Sequence, residues 1–244
     1  EYVREDDASK RAQLALAMAR LVDGQVGDDY ALQVRDRVEL VPGVPLAHSI
    51  RDIAHQVWPG AMAVFRAEWV GPSCGTGRTL ASVVRDMWAG RCCSLLEVGS
   101  GTGAVGLSLA SFANAPWTNV ILSDLEAVRA DLVAAIDRAR HALQVPVTAT
   151  TVHFGTRGDA RHLLVVGVEI VYRDLDPDAT LYTLSTLLNP KGGQALVVWQ
   201  QHDAASAAAW VAAISRHFRR VIHVATAHPL RALILADPTQ QTDL

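Results

Sequence analysis

Half of the 244 residues are hydrophobic, yet no uninterrupted apolar run approaches the roughly 20 residues that a helical membrane span requires. That absence predicts a soluble globular protein. The chain opens EYVREDDASK, acidic and polar where a secretory leader has a basic start and an apolar block, so no secretory signal is expected. Cysteine is scarce: Cys74, Cys92 and Cys93 make an odd count, and the adjacent pair lacks the C-x-x-C spacing of a zinc or redox site. A reducing, intracellular setting follows, cytoplasmic first, with the nucleus as a further compartment. Lysine is nearly missing. Lys10 and Lys191 are the only two among 22 basic residues, which with abundant Ala and Val reads as genome composition rather than a phosphate-binding adaptation. Against 25 acidic residues the formal charge is −3, which disfavours a large electrostatic contribution to nucleic-acid binding.

Several chemistries lack their signatures. None of the nine histidines shows H-E-x-x-H or a paired ligand spacing, so no metal is assigned. There is no G-x-S-x-G nucleophile elbow, no internal repeat and no low-complexity tract. At 26.2 kDa the length suits one α/β domain carrying an N-terminal extension.

What is present begins quietly. From Asp7 to about Val22, the residues Leu14, Met18, Leu21 and Val22 form one helical stripe, and Val34, Val38 and Val41 among charges and prolines read as short strands and turns. Trp58-Pro59-Gly60 opens a helix through Val70, GPSCGTGR breaks it, and Thr79 to Trp88 is helical again. The text then becomes regular. Apolar runs at about 93–98, 118–123, 147–153, 163–171 and 195–200 alternate with helix-period segments, the pattern of a parallel sheet with crossover helices. Val128, Leu132, Ile136 and Leu143 share a helical face. Asp176-Pro177 caps a helix through Leu181, Leu184 and Leu188, stopped by Asn189-Pro190-Lys191-Gly192-Gly193. Asp203 starts another with Trp210, Ile214 and Phe218, and RVIHVAT and LRALILA flank His228-Pro229 as a terminal antiparallel hairpin.

The chemistry concentrates in LLEVGSGTGAVGLSLA, residues 95–110. Gly99, Gly101 and Gly103 fall where a strand turns into a helix, and side chains there would block a ligand from the backbone amides. That is a cofactor loop. Two enzyme classes write nearly this string, one using S-adenosylmethionine and one a nicotinamide dinucleotide; Gly101, Gly103 and Gly106 satisfy G-x-G-x-x-G, and Asp124 follows at close to the offset of a ribose-binding acid. Against the dinucleotide, the loop lies deep in the chain and no second half or catalytic acid–base group is found. Asp124 ends NVILSD, where a carboxylate can accept from ribose hydroxyls in either class or cap a helix. Glu97 can receive the amino group of a methionine moiety through a water, or be a buried acid satisfied by loop amides.

Together with VWPGAMAV upstream, VILSD, and VGVEIVYRDLDPDATLYTLSTLL downstream, this loop resembles the seven-stranded S-adenosylmethionine-dependent methyltransferases of the protein-lysine group, methyltransferase family 16. The resemblance runs from about Val57 to the C-terminus, with its motifs in order. It implies that the cofactor S-adenosylmethionine is held by Glu97, Gly99, Ser100, Gly101 and Gly103 of the loop, by Asp124 and Leu125 after strand two, and by Phe154 and Gly155 after strand three. There HFG stands where the family usually has Trp-Gly. Trp58 is implied to line the cofactor or lysine channel, and Phe154 to pack near the adenine.

The chain departs from the family at strand four, which reads Glu169-Ile170-Val171-Tyr172 where the family places Asp first. By resemblance, Glu169 and Tyr172 are the catalytic, substrate-end pair: a carboxylate to orient an incoming ammonium and an aromatic rim to guide it by cation–π contact. The extra methylene of Glu moves the charge by on the order of an ångström, a shift that can cost about a hundredfold in rate. GPSCGTGRTLASVVRDMWAGR is a longer link than the family has; it faintly echoes a phosphate loop with the wrong spacing and no Lys, and reads as a surface insertion.

The expectation is a doubly wound, Rossmann-like seven-stranded α/β sheet with a terminal antiparallel hairpin. Residues 1–57 form an extension placed to cap the substrate cleft, and residues 58–244 the methyltransferase domain. The partner is a protein substrate, with no membrane and no nucleic acid. The alternatives are a nicotinamide oxidoreductase and a methyltransferase-like scaffold with little turnover.

Overall fold

The computed structural model describes residues 91, 93–111, 116–171, 175–200, 204–224 and 230–239. The expected N-terminal helices and strands, Trp58, the glycine-rich insertion and the boundary at residue 57 lie outside them. Within them, the strands are β1 (Cys93–Val98), β2 (Trp117–Asp124), β3 (Val147–Thr151), β4 (Leu164–Val168), β5 (Gln194–Gln200), β6 (Phe218–Val224) and β7 (Leu230–Pro238). The helices are α1 (Ala104–Ala110), α2 (Glu126–Ala139), α3 (Pro177–Leu187) and α4 (Ala204–His217).

All seven strands join one sheet in the order β3-β2-β1-β4-β5-β7-β6. The pairs from β3 across to β5 are parallel, and β7 runs antiparallel to both β5 and β6. This is the expected Rossmann-like fold with its terminal hairpin. Strand order reverses between β1 and β4, and in open α/β sheets a ligand crevice forms outside the carboxyl ends of the strands at such a switch point.

Two apolar layers explain why the central strands read as unbroken hydrophobic runs. Leu95 of β1 faces Val105, Leu107, Val128 and Leu132 on one side. Leu96 and Val98 face Leu181, Leu184, Trp210 and Ile214 on the other. A strand buried on both faces has no polar face to alternate with.

Three local expectations are corrected. Leu143 packs against the same cluster as α2 but lies beyond the end of that helix at Ala139. Phe218 continues the periodicity of α4, yet it opens β6, because the strand edge points its ring into the same layer as Trp210 and Ile214. The third concerns the crossovers. No helix joins β3 to β4, and residues 152–163 run as turns and bends closed by an isolated bridge at His162. The stretch HFGTRGD carries two glycines and a single apolar residue, too little to form a helical stripe. Instead α3 covers this segment, through hydrogen bonds described below.

Candidate functional site

The chain leaves β1 through left-handed backbone at Gly99 (φ 66°), Gly101 (φ 53°) and Gly103 (φ 76°). Residues with a Cβ rarely adopt that region, so the spacing of the glycines is dictated by the path of the loop. Ser100 fastens the loop to β2: its amide donates to the Ser123 carbonyl at 2.9 Å, and its hydroxyl accepts from the Ser123 amide at 2.9 Å. The Ser123 hydroxyl in turn donates to the Glu97 carbonyl at 2.6 Å. Gly106 has a different task. A Cβ there would lie 2.2 Å from Cδ2 of Leu122 and 2.6 Å from Oε2 of Glu97, so this glycine lets α1 press against β1 and β2. The third glycine of the G-x-G-x-x-G match is thus accounted for by packing.

Asp124, half-buried at the end of β2, accepts from the Gly101 amide through Oδ2 and from the Leu125 amide through Oδ1, each at 2.7 Å. It does not cap α2, whose N-cap is Leu125 with no side-chain cap bond. An ionised carboxylate offers about four acceptor positions. One is used by the glycine loop and one by the start of α2, and the others have no partner among the described residues. Glu97 is 2% exposed and accepts from the Gly106 amide through Oε2 at 3.0 Å. Burial pushes its carboxyl from 4.5 up to about 8, helped by the nearby charge of Asp124 and opposed by its bonds to Gly106 and Ser100. The raised value favours the protonated, uncharged form at neutral pH, with Oε2 accepting from the Gly106 amide of α1.

At the neighbouring strand end, Glu169 has φ 58°, a left-handed conformation uncommon outside glycine, and its amide donates to the Val198 carbonyl of β5 at 2.7 Å. The next residue, Ile170, is buried. Its Cγ2 sits 2.8 Å from where a Cβ on Gly99 would be, and its Cδ1 2.4 Å from where one on Gly167 would be. Ile170 therefore bolts the end of β4 against the glycine loop, and two bare glycines make its socket. Sequence reading missed this contact, whose signal was only the glycine in the middle of LVVGV. After β3, Phe154 packs half-buried against the second apolar layer, and Gly155 has φ 87°. Tyr172 and Trp58 lie outside the described residues. Among the described residues, no His, Cys, Asp and Glu side chains gather as a metal site.

The structure thus gathers at one sheet end the glycine loop, Asp124 and Glu169. The family model for lysine methyltransferases, methyltransferase family 16, matches residues 47–217, well over half of the chain. The chain belongs to this lysine methyltransferase family. Its cofactor is S-adenosylmethionine, and the residues present fit that group: three left-handed glycines bare the backbone, and the Asp124 carboxylate at the end of β2 has acceptor positions beyond its two amide bonds. The nicotinamide alternative is set aside with the family match. Solved structures share the fold. The CMeT domain of the citrinin polyketide synthase is 14% identical, with 61% of this chain and 47% of that one covered at a TM-score of 0.50. The CurJ carbon methyltransferase is 13% identical, with 65% and 54% covered at 0.52. The chain spans about half the length of those two structures. Among curated protein sequences there is no match.

Proposed function

We propose that this chain transfers a methyl group from S-adenosylmethionine to a lysine side chain of another protein. The observation that carries the reading is the seating of Ile170 against Gly99, which sets Glu169 beside the loop that would hold the cofactor. The family description supports lysine as the acceptor.

The bound cofactor supplies an electrophilic sulfonium methyl, which passes to an amine nitrogen as the carbon–sulfur bond breaks and a thioether leaves. The residues of the chain do the rest. Gly99, Ser100, Gly101 and Gly103 would present backbone to the cofactor, Asp124 and Leu125 would hold its ribose, and the Phe154–Gly155 turn would border its adenine. Glu97, neutral and buried, adds no second negative charge beneath the loop. The acceptor lysine arrives as an ammonium with an ordinary pKa of about 10.4 and must lose its proton before it can attack. By the family resemblance Glu169 would hold and orient that ammonium; the same resemblance gives Tyr172 the cation–π role and Trp58 the channel, and both lie outside the described residues. The left-handed backbone at Glu169 is strained for a residue with a side chain, and such strain is common at functional sites. The target protein is intracellular, in the cytoplasm or nucleus.

A thermal-shift titration with S-adenosylhomocysteine beside NAD and NADP tests the cofactor, since a ligand at 100 times its dissociation constant stabilises by about 2.7 kcal/mol. Stabilisation by S-adenosylhomocysteine alone is expected. Glu169→Ala should then abolish methyl transfer while sparing cofactor binding. Unchanged turnover would refute its role, and a wild-type chain that binds cofactor without transferring methyl to any protein would be a scaffold.

A further inference from the structure

Residues 152–163 occupy the place of a crossover helix, so something else must fix their shape. Buried Thr183, in the middle of α3, ties down the stretch around Gly155. Its hydroxyl accepts from the Gly155 amide at 2.9 Å and donates to the Thr156 carbonyl at 3.0 Å, with the His153 carbonyl facing it at 3.5 Å. Gly155 also donates to the Ala179 carbonyl one helical turn earlier, at 3.0 Å. One turn later, Thr186 accepts from the Gly158 amide at 2.9 Å. A fully buried hydroxyl in a helix interior usually bonds back to its own helix. Thr186 does so, donating to the Thr183 carbonyl at 2.9 Å, whereas Thr183 turns its hydroxyl outward to the backbone on either side of the Phe154–Gly155 peptide.

We propose that Thr183 is a positioning residue for the cofactor: one hydroxyl on α3 sets the Phe154–Gly155 turn at the edge of the site. The proposal rests on the reading that this turn borders the adenine. It also makes α3 a shared mount. The helix begins at its N-cap Asp176, a few residues after Tyr172, so the element that follows the acceptor end also shapes the cofactor end. Thr183 touches neither ligand. Its effect passes through the turn.

The test compares Thr183→Val, which keeps the shape and removes the hydroxyl, with Thr183→Ser, which keeps the hydroxyl. Thr186→Val serves as control, because it removes a hydroxyl bond to the same segment three residues farther from the turn. Binding of S-adenosylhomocysteine is measured by calorimetry, and the ligand-free melting temperature is recorded for each. Thr183→Val should bind about tenfold more weakly, as expected when a buried carbonyl loses its donor and an amide loses one of two acceptors. Thr183→Ser and Thr186→Val should stay within about twofold of wild type. Wild-type affinity in Thr183→Val, or equal weakening in Thr186→Val, overturns the inference and leaves the methyltransferase reading intact. Failure of the wild-type chain to bind S-adenosylhomocysteine overturns both. Should Thr183→Val not fold, hydrogen exchange on the wild-type chain decides: the Gly155 amide should exchange about tenfold more slowly when the ligand is bound, and unchanged exchange overturns the proposal.

Discussion

The ends of β1 and β4 lie side by side, and both leave the sheet through left-handed backbone, yet they are built from opposite residues. At β1 the left-handed positions of the turn are all glycines, Gly99, Gly101 and Gly103. At β4 it is made by Glu169, a residue with a long charged side chain, in a conformation that costs about 1–2 kcal/mol for any side chain. A loop that must offer its backbone uses glycine and gains its order from Ser100 and Asp124. The β4 end keeps a side chain at Glu169, the proposed acceptor-side acid, and accepts the strain, held by the Val198 carbonyl and by Ile170 in its glycine socket. The acids of the two regions differ in the same sense. Glu97 under the first loop is buried and pushed up, while Asp178 at the start of α3, beyond the second, is exposed and pulled down.

The largest consequence is a pH dependence in the glycine-loop half. The Glu97 carboxyl titrates near 4.5 in the unfolded chain and near 8 in the fold, so between those values the folded state holds a proton that the unfolded state has lost. Its contribution is therefore fully present below pH 4.5 and is lost as pH rises to about 8, by several kcal/mol in all. Denaturant titrations across that window should show stability falling in the wild type and a flatter profile in Glu97→Gln. Parallel profiles would mean that Glu97 is ionised in the fold.

Next in size is Gly106→Ala. Its new methyl would meet Leu122 and Glu97 well inside contact distance, with helix and strands both fixed. Overpacking of this kind costs about 3 kcal/mol. A lowered urea midpoint at constant slope would confirm that Gly106 serves packing. Loss of cofactor affinity with stability retained would instead return it to the ligand loop.

Much of this contrast was legible in the text. The parallel strands were found because burial on both faces makes them continuous apolar runs, and the loop because three alternating glycines at a strand end have few other uses. Asp176 capping α3 was legible too, since the cap lies two residues from the Asp178 amide it accepts from at 2.9 Å. What stayed hidden depends on residues far apart in the chain. Ile170 is an ordinary apolar residue until β1 and β4 pair and bring it to Gly99. Thr183 is an ordinary helix residue until residues 152–163 fold back over α3. Phe218 misled for the converse reason: helix and strand happened to aim it where the helical period also pointed.

The strain at Glu169 gives a smaller and cleaner test of the comparison. Glu169→Gly and Glu169→Ala both delete the carboxylate, so the difference between them isolates the left-handed backbone. The glycine variant should be more stable by about 1 kcal/mol, with neither methylating protein. Equal melting temperatures would show that this strand end relaxes when its side chain goes, and that the strain is not set by Val198 and Ile170.

The smallest effect belongs to Asp178, and its sign is opposite to that of Glu97. Its carboxylate receives Nε and Nη2 of Arg216 at 2.9 and 2.6 Å, and Nε2 of His217 lies 2.9 Å away, clasping α3 to the end of α4. Arg216 and His217 together hold the Asp178 carboxyl down, from 3.8 to about 2. The clasp therefore contributes above pH 3.8 and is lost as pH falls through about 2. The Asp178 side chain is 50% exposed, and exposed ion pairs add little because water and salt screen them. Asp178→Asn should lower the melting temperature by no more than about 2 °C at neutral pH, with less effect in high salt, and should leave S-adenosylhomocysteine affinity unchanged. A large loss of affinity would show that α3 transmits more than the position of its threonines, and that its outer end also tunes the Phe154–Gly155 turn.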